Sequence, residues 1–368
     1  MSRRSFLVGG SVPLACFCMG CSGAGPASAG SMPHEARFYD KLDDNMVQCR
    51  VCPRECVIQS NERGYCGTRE NRKGVLYSLV YGVIASRHVD PIEKKPFFHV
   101  LPGSRAYSIA TAGCNMECKF CQNWQLSQAK PEDLRSVNRT PSQIAESAGA
   151  SGSVSIAYTY NEPTVFTEFV YDCAAEAKKQ DIHSVVISNG YVNADPIKRL
   201  SEVITAYKVD LKSFSQAFYR DITGGERDRV LDTIKLLHSL NVWVEIVHLT
   251  IPTLNDDDRN FTLMADWLAG EVGRDVPVHF TRFHPMYKLT NLPPTPVSTL
   301  ERARDILMDR GMRYVYVGNV PGHPGESTYC PSCGKIVVER GRGYSVGAVH
   351  LKDGACGYCG TTIPGVWM

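Results

Sequence analysis

Cys114, Cys118 and Cys121 stand in the order C-x3-C-x2-C, inside Gly113-Cys-Asn-Met-Glu-Cys-Lys-Phe-Cys121. Cysteine thiolates are the usual ligands of iron–sulfur clusters, and a four-iron cluster normally takes four of them. Three in one short loop, with no fourth nearby, imply a distant ligand or an iron left open. An open metal position is where small-molecule chemistry occurs. The spacing alone equally allows a zinc site completed by a histidine, or reduced structural thiols. Two further groups flank this one. Cys49, Cys52, Cys56 and Cys66 follow C-x2-C-x3-C-x9-C, which is not ferredoxin spacing. Four thiolates there can close a structural zinc site or hold an auxiliary cluster, with disulfides a third option. Cys330-Pro-Ser-Cys333 and Cys356-Gly-Tyr-Cys359 are two C-x2-C knuckles, each followed by glycine. That layout resembles a structural zinc ribbon.

These eleven residues belong to 15 cysteines in a chain of 368 residues. Cysteines grouped so tightly in a chain of this length point to metal before disulfides. Cys173 falls on an apolar stripe with Val165, Phe166, Phe169, Val170 and Ala177 at helical spacing, so it reads as core. Composition is that of a globular protein, 43% hydrophobic and 21% charged. With 40 basic against 38 acidic side chains, a broad electrostatic footprint for nucleic acid is excluded. Lys335, Arg340, Arg342 and Lys352 form only a modest basic set, and nucleic acid is not expected as a partner.

The elements that must position these groups begin in earnest near residue 104. Strand-like runs occur at Ala106–Gly113, Ser153–Tyr160, His183–Asn189, Tyr207–Leu211, Val242–Ile251, Val276–Phe283 and Tyr314–Gly318, with helical patterns between most of them. Thr140-Pro-Ser-Gln143 and Ser298-Thr-Leu-Glu301 read as capping boxes that start two of the helices. Strand and helix in repeated alternation predict an α/β fold with parallel strands. A full or partial (β/α) barrel of TIM-like form is the natural closure, and a doubly wound open sheet is the alternative. In a barrel, chemistry sits on the loops after the strands' C-terminal ends. The unusual polar residues fall there: the three cysteines, Asn161 and Glu162, Ser188 and Asn189, Asp210 and Lys212, His248, His284, and Asn319. Asp210 and Lys212 alternate with Leu211 and so share a face of their strand. His248 reads as a satisfied loop histidine. Asp90 to His99 reads as a polar connector in which Lys94 and Lys95 are either a solvated charge run or substrate contacts.

The expected organisation is a leader over residues 1–30, a four-cysteine module with connector over 31–100, a (β/α) barrel over 101–325 and a zinc-ribbon-like module over 326–368. The leader has Arg3-Arg4, a weakly apolar stretch and Ala27-Ser28-Ala29 as a cleavage site, the pattern of a twin-arginine signal. It predicts an exported or membrane-anchored protein, with a cytoplasmic one as the alternative. Beyond the leader no apolar run is long enough to cross a membrane.

Cys114-x3-Cys118-x2-Cys121, with Phe120 before the last cysteine, resembles the signature of radical S-adenosylmethionine enzymes. Within that superfamily the chain is most similar to the radical enzyme of the AmmeMemoRadiSam group, itself related to pyruvate formate-lyase activating enzymes. The segments that carry this are Cys49-x2-Cys52-Pro-Arg-x-Cys56, Gly64-Tyr-Cys-Gly67, Asp90-Pro-Ile-Glu-Lys-Lys-Pro96, Cys121-Gln-Asn-Trp124, Tyr160-Asn-Glu-Pro163, Asp210-Leu-Lys212 and Val317-Gly-Asn319. The two-cluster ferredoxin insert of the glycyl-radical activators is absent from the sequence.

The resemblance implies a 4Fe-4S cluster on Cys114, Cys118 and Cys121, with the fourth iron chelated by S-adenosylmethionine. Reductive cleavage of that cofactor then yields a 5′-deoxyadenosyl radical that abstracts hydrogen from a substrate. It implies cofactor contacts from Phe120, Asn161, Glu162, Ser188, Asn189, Asp210, Lys212 and Asn319, and catalytic roles for Lys212 and His284. It also implies a low-potential electron donor and Memo-like and AMMECR-like proteins as functional partners. An activating enzyme that makes a glycyl radical on a partner is the second enzyme reading. A non-catalytic metal-bound binding module is the alternative of another class.

Overall fold

The computed structural model describes residues 34–367. The expected leader, with Cys16, Cys18 and Cys21, lies outside the described residues. One eight-stranded sheet forms the framework: β1 (Ser86–Pro91), β2 (Arg105–Ala110), β3 (Ser155–Tyr158), β4 (His183–Ser188), β5 (Ala206–Asp210), β6 (Trp243–Thr250), β7 (Val278–Arg282) and β8 (Val315–Gly318). The strands lie side by side in chain order. β2 to β8 run parallel, and β1 runs antiparallel along β2. Winding in a single direction is barrel topology; a doubly wound sheet reverses its order at a switch point. β1 and β8 do not pair, so the sheet stays open as a partial barrel.

Six helices follow strands of the sheet: α1 (Pro141–Ala150), α2 (Thr167–Lys178), α3 (Ala194–Ser201), α4 (Arg227–Ser239), α5 (Asp258–Glu271) and α6 (Val297–Asp309). Ile144, Phe169, Ile234, Phe261 and Leu300 from these helices share one core with Tyr207, Val209 and Val278 of the sheet. Each such side chain contributes about 1.5–3 kcal/mol on burial. Cys173 is fully buried in this core. The box at Thr140 forms as expected, with Gln143 N donating to Thr140 Oγ1 at 3.3 Å and Thr140 N donating to Gln143 Oε1 at 3.0 Å. The box at Ser298 does not. α6 already starts at Val297, because Pro296 takes the cap position with its fixed φ of −58°. Glu301 instead meets His323 at 3.1 Å.

The segment expected as a polar connector is a plug. Ile92, Phe97, Val100 and Leu101 fill the inner side of the sheet against Ala106, Ala157 and Ala206, whose small side chains leave room for them. The charges between these apolar residues find partners inside. Glu93 accepts from Gly103 N at 2.9 Å, and Lys95 donates to Asp90 at 2.7 Å.

Two cysteine-bearing regions pack on opposite ends of the strands. The N-terminal one is built from short antiparallel strands, Tyr39–Lys41 with Val47–Cys49 and Val57–Ile58 among them. It sits over the strands' C-terminal ends, where Arg54 Nε donates to Asn115 O at 2.7 Å and Asn193 N to Val51 O at 3.0 Å. The C-terminal one packs Cys330, Val337, Cys356 and Ile363 on Phe98, Tyr314 and Tyr316, at the opposite end. Among the described residues no helix is long and apolar enough to cross a membrane.

Candidate active site

The loop that leaves β2 carries the three cysteines, and its first turn is tightly held. Gly113 has φ +88°, and a Cβ there would stand 2.3 Å from Thr68 Cγ2 and 2.8 Å from Cys66 O, so only glycine fits. Asn161 grips the backbone just before it, donating from Nδ2 to Ala112 O at 3.1 Å and Gly113 O at 3.0 Å. Further along, Glu117 N donates to Thr223 O and Lys119 N to Ile222 O, both at 3.0 Å. Cys118 is buried, and Cys114 and Cys121 are half-buried. Met116 N lies 3.4 Å from Cys114 Sγ, and Ser127 Oγ lies 3.1 Å from Cys121 Sγ. Burial pushes the Cys118 thiol up to about 12, with Lys212 opposing. It also raises Cys114, aided by the nearby charges of Glu162 and Cys118. Cys114 and Cys118 therefore favour the thiol form in the bare loop, and a bound cation must displace those protons.

Beside the loop, Lys208 and Asp210 of β5 and Lys212 just beyond its end bring three charges together. Asp210 Oδ1 accepts from Lys208 Nζ, and Asp210 Oδ2 from Lys212 Nζ at 3.1 Å. The outward residues Tyr207, Val209 and Leu211 join the helix-facing core. Burial alone would raise Asp210, but the two lysines hold it at about 2, ionised. Burial likewise opposes the charge on Lys212, yet Asp210 and Cys118 keep its ammonium well above the usual range. Lys212 Nζ also lies 5.6 Å from the centre of the Phe120 ring. Phe120, Asp210 and Lys212 thus meet at Cys118. Sequence reasoning missed Lys208, although its place two residues before Asp210 on a strand was the available signal.

Glu162 and its neighbours fasten the site from within. Glu162 Oε1 accepts from Thr164 N at 3.0 Å, Thr164 Oγ1 at 2.7 Å and Ser188 Oγ at 2.7 Å, while Oε2 accepts from Asn189 N at 2.8 Å. Asn189 Nδ2 donates to Asn115 Oδ1 at 2.9 Å and points at Cys114 Sγ, 3.7 Å away. Asn161, Glu162 and Ser188, for which the resemblance implies cofactor contacts, are buried and hydrogen-bonded within the chain, as buried carboxylates and amides require.

Asn319 is exposed with φ +59°, its Nδ2 3.4 Å from Arg282 O. His284 is exposed beyond β7, and among the described residues no hydrogen bond or ion pair joins it to the β5 charges. His248 belongs to β6 rather than to a loop. It is fully buried between Thr250 Oγ1 and Asn260 Nδ2, each 3.2 Å away, and burial pulls its pKa down to about 3. Lys95 is buried with Asp90 and Tyr160, whereas Lys94 reaches Asp90 Oδ1 at 2.9 Å from a half-exposed position.

The outer cysteine groups differ. Cys330, Cys333, Cys356 and Cys359 bring their sulfurs within 4.8 Å of one another, with Cys330–Cys359 at 3.6 Å and Cys333–Cys356 at 3.8 Å. Cys49, Cys52, Cys56 and Cys66 stand around one cavity that Arg69 and Asn115 also line.

The sequence profile of the Radical SAM superfamily matches residues 108–264, the span from β2 into α5. An uncharacterized protein of Methanocaldococcus jannaschii is 46% identical over 306 residues, covering 83% of this chain and 91% of its own. The chain belongs to the radical SAM superfamily. It is an enzyme. The pyruvate formate-lyase 1-activating enzyme of Escherichia coli is 26% identical over 220 residues, or 55% of this chain and 89% of that one. Among solved structures, a radical SAM methyltransferase from Sphaerobacter thermophilus matches 58% of this chain and 66% of its own at 16% identity, with a TM-score of 0.45. The family implies a 4Fe-4S cluster and S-adenosylmethionine, and the donor set fits that cluster. Three thiols stand on one short, partly buried loop, with backbone and hydroxyl donors near two of them and a lysine charge near the third.

Proposed function

We propose that this radical SAM enzyme binds a 4Fe-4S cluster through Cys114, Cys118 and Cys121 and abstracts hydrogen from a substrate after reductive cleavage of S-adenosylmethionine. When bound, the cluster supplies the electron for that cleavage and an open iron for the cofactor's amino and carboxylate groups. The observation that carries this reading is the three-thiol loop at the C-terminal end of the first parallel strand, beside the β5 charges. Lys212 offsets the negative charge that accumulates on the three thiolates. Asp210, kept ionised by Lys208 and Lys212, is the carboxylate that accepts from a ligand's ammonium group. Phe120 presents a ring face next to Cys121, and Asn161, Glu162, Ser188 and Asn189 hold the loop in register. Asn319 and His284 stand exposed at the rim, on the side where substrate enters.

Similarity to an activating enzyme supports a second reading, in which the substrate is a partner protein that acquires a glycyl radical. Memo-like and AMMECR-like partners rest on the family resemblance, and a low-potential donor is needed in either reading. A zinc ion at the C-terminal cysteines is supported by their spacing.

The test is anaerobic reconstitution of the full chain with iron and sulfide, then dithionite and S-adenosylmethionine, with 5′-deoxyadenosine quantified. Product is expected, and it vanishes when Cys114, Cys118 and Cys121 are replaced by alanine. A protein that carries the cluster on these cysteines yet forms no product overturns the reading. A glycine-centred radical on a partner chain decides for the activating-enzyme form.

A further inference from the structure

Four thiolates around one tetrahedral ion at about 2.3 Å stand about 3.8 Å apart. The C-terminal cysteines meet that spacing, at 3.6 and 3.8 Å for two of their pairs. Among the described residues no other set of cysteines gathers so closely. Cys49, Cys52, Cys56 and Cys66 are unpaired thiols lining one pocket, part of it open to solvent. Thiols spread around a space suit a core in which each binds its own iron.

The wall also carries a cation with a spare donor. Arg69 is 1% exposed, and its Nη1 and Nη2 pair with Glu168 at 2.9 and 2.6 Å. Its Nε has no hydrogen-bond partner among the described residues. A buried guanidinium donor left open beside Cys49 and Cys66 is costly unless an anionic group fills the cavity. A cluster bound by four thiolates is such a group. Nothing in the three-thiol site uses this arginine.

The cavity adjoins the three-thiol loop. Asn115, the residue after Cys114, lines it, while Asn189 bridges Asn115 and Cys114. Cys66 O packs on Gly113 so closely that no side chain fits between them.

We propose that Cys49, Cys52, Cys56 and Cys66 hold a second iron–sulfur cluster, a one-electron carrier set against the loop of the three-thiol site. One electron from a ferredoxin- or flavodoxin-class donor reduces it, and it is reoxidised in passing that electron to the centre on Cys114, Cys118 and Cys121. No bond to the chain breaks and no proton moves. The carrier role rests on the function proposed above; the existence of the cluster does not.

The experiment therefore uses full-length protein that lacks the first site. The Cys114→Ala, Cys118→Ala, Cys121→Ala triple variant is reconstituted anaerobically, and iron, sulfide and zinc are counted. About four irons and four sulfides per chain are expected, with a paramagnetic resonance signal after dithionite reduction. Zinc without sulfide, or four freely titrating thiols, overturns the cluster. In the wild type, signals broadened relative to the sum of the triple variant and the Cys56→Ser variant are expected from two neighbouring reduced centres. An unbroadened sum overturns the carrier role. Circular dichroism of Cys56→Ser establishes that it is folded, and Cys49→Ser replaces it if it is not. Because the decisive count is made without the first site, a failure of S-adenosylmethionine cleavage leaves it standing.

Discussion

Cys330, Cys333, Cys356 and Cys359 close on a single point at the foot of the sheet, whereas Cys49, Cys52, Cys56 and Cys66 stand around a space at its mouth. The donors are the same in number and kind, so the difference lies in what surrounds them. At the foot, Cys333 and Cys359 are exposed, and the group is backed by the aromatic residues Phe98, Tyr314 and Tyr316. At the mouth, a buried arginine faces the thiols, and the next loop carries the proposed chemistry. Identical ligands are thus drawn together in one place and spread around a pocket in the other.

The largest effect that separates the two regions comes from removing thiols at the foot. A structural zinc supplies on the order of 10 kcal/mol to the segment it closes. Cys330→Ser with Cys333→Ser is expected to make residues 326–368 sensitive to limited proteolysis, while iron content stays at the wild-type value. Loss of iron in that variant breaks the comparison. A chelator applied to wild-type protein is expected to reproduce the proteolytic pattern, since two of the four sulfurs face solvent.

Next in size is the tie that holds the mouth region to α2. Arg69 and Glu168 are both buried, and Glu168 also accepts from Arg37 N at 3.1 Å. Glu168→Gln leaves the arginine charge unpaired in the interior, a loss of about 3–5 kcal/mol. Denaturant unfolding of the metal-free protein measures it. The loss is expected in the transition that reports residues 34–84, with proteolysis at the foot unchanged.

How these regions read in the sequence differs too. The parallel strands were legible because strand and helix alternate with clear punctuation, and the seven parallel strands follow the expected runs closely. The same periodicity could not tell a full or partial barrel from a doubly wound sheet, since the order in which strands lie side by side leaves no trace in it. The plug was illegible for a different reason: Glu93, Lys95 and His99 look solvated in one dimension, and only the fold supplies Gly103, Asp90 and Tyr316 as their partners. The three cysteines and the Asp210–Lys212 pair stood out by spacing, although spacing alone left cluster, zinc and structural thiols open for the cysteines. Arg69 and Asn115 did not, because each acts through residues distant in the chain. Glu162 stood out in the sequence, but its bonds to Ser188 and Asn189 did not, because they join strand ends distant in the chain.

The plug joins the two regions, and Lys95 on it gives a pH signature. Burial is the largest influence and pulls its pKa from the usual 10.5 to about 8, with Asp90 opposing. Between those values the folded chain has released a proton that the unfolded chain keeps. Stability therefore rises with pH across that window, by about 2–3 kcal/mol relative to Lys95→Met, in which the group is gone. Urea unfolding at pH 7.5 and pH 10 checks the sign. A flat difference between the two proteins means that Lys95 is solvated, and the plug would then be looser than its burial indicates.

The smallest effect tests whether the mouth is one unit. Asn115 donates to Tyr191 O at 2.5 Å, accepts from Asn189, which points at Cys114 Sγ, and lines the cavity of the four outer cysteines, so a single amide stands between both cysteine sets. Asn115→Ala removes those bonds at a stability loss of about 1–3 kcal/mol. Hydrogen bonds to thiolate sulfur tune a cluster's reduction potential, so the reduction midpoints of both centres are expected to move in this variant. Asn71→Ala, equally buried and bonded to Asn45 O and to Ile58 O on the cavity wall but not to any cysteine, is the control for lost stability alone. If Asn115→Ala shifts only one midpoint, or none, the two sets are neighbours that do not communicate through this amide. If both shift while Asn71→Ala shifts neither, the mouth behaves as a single electrostatic unit, which the foot does not share.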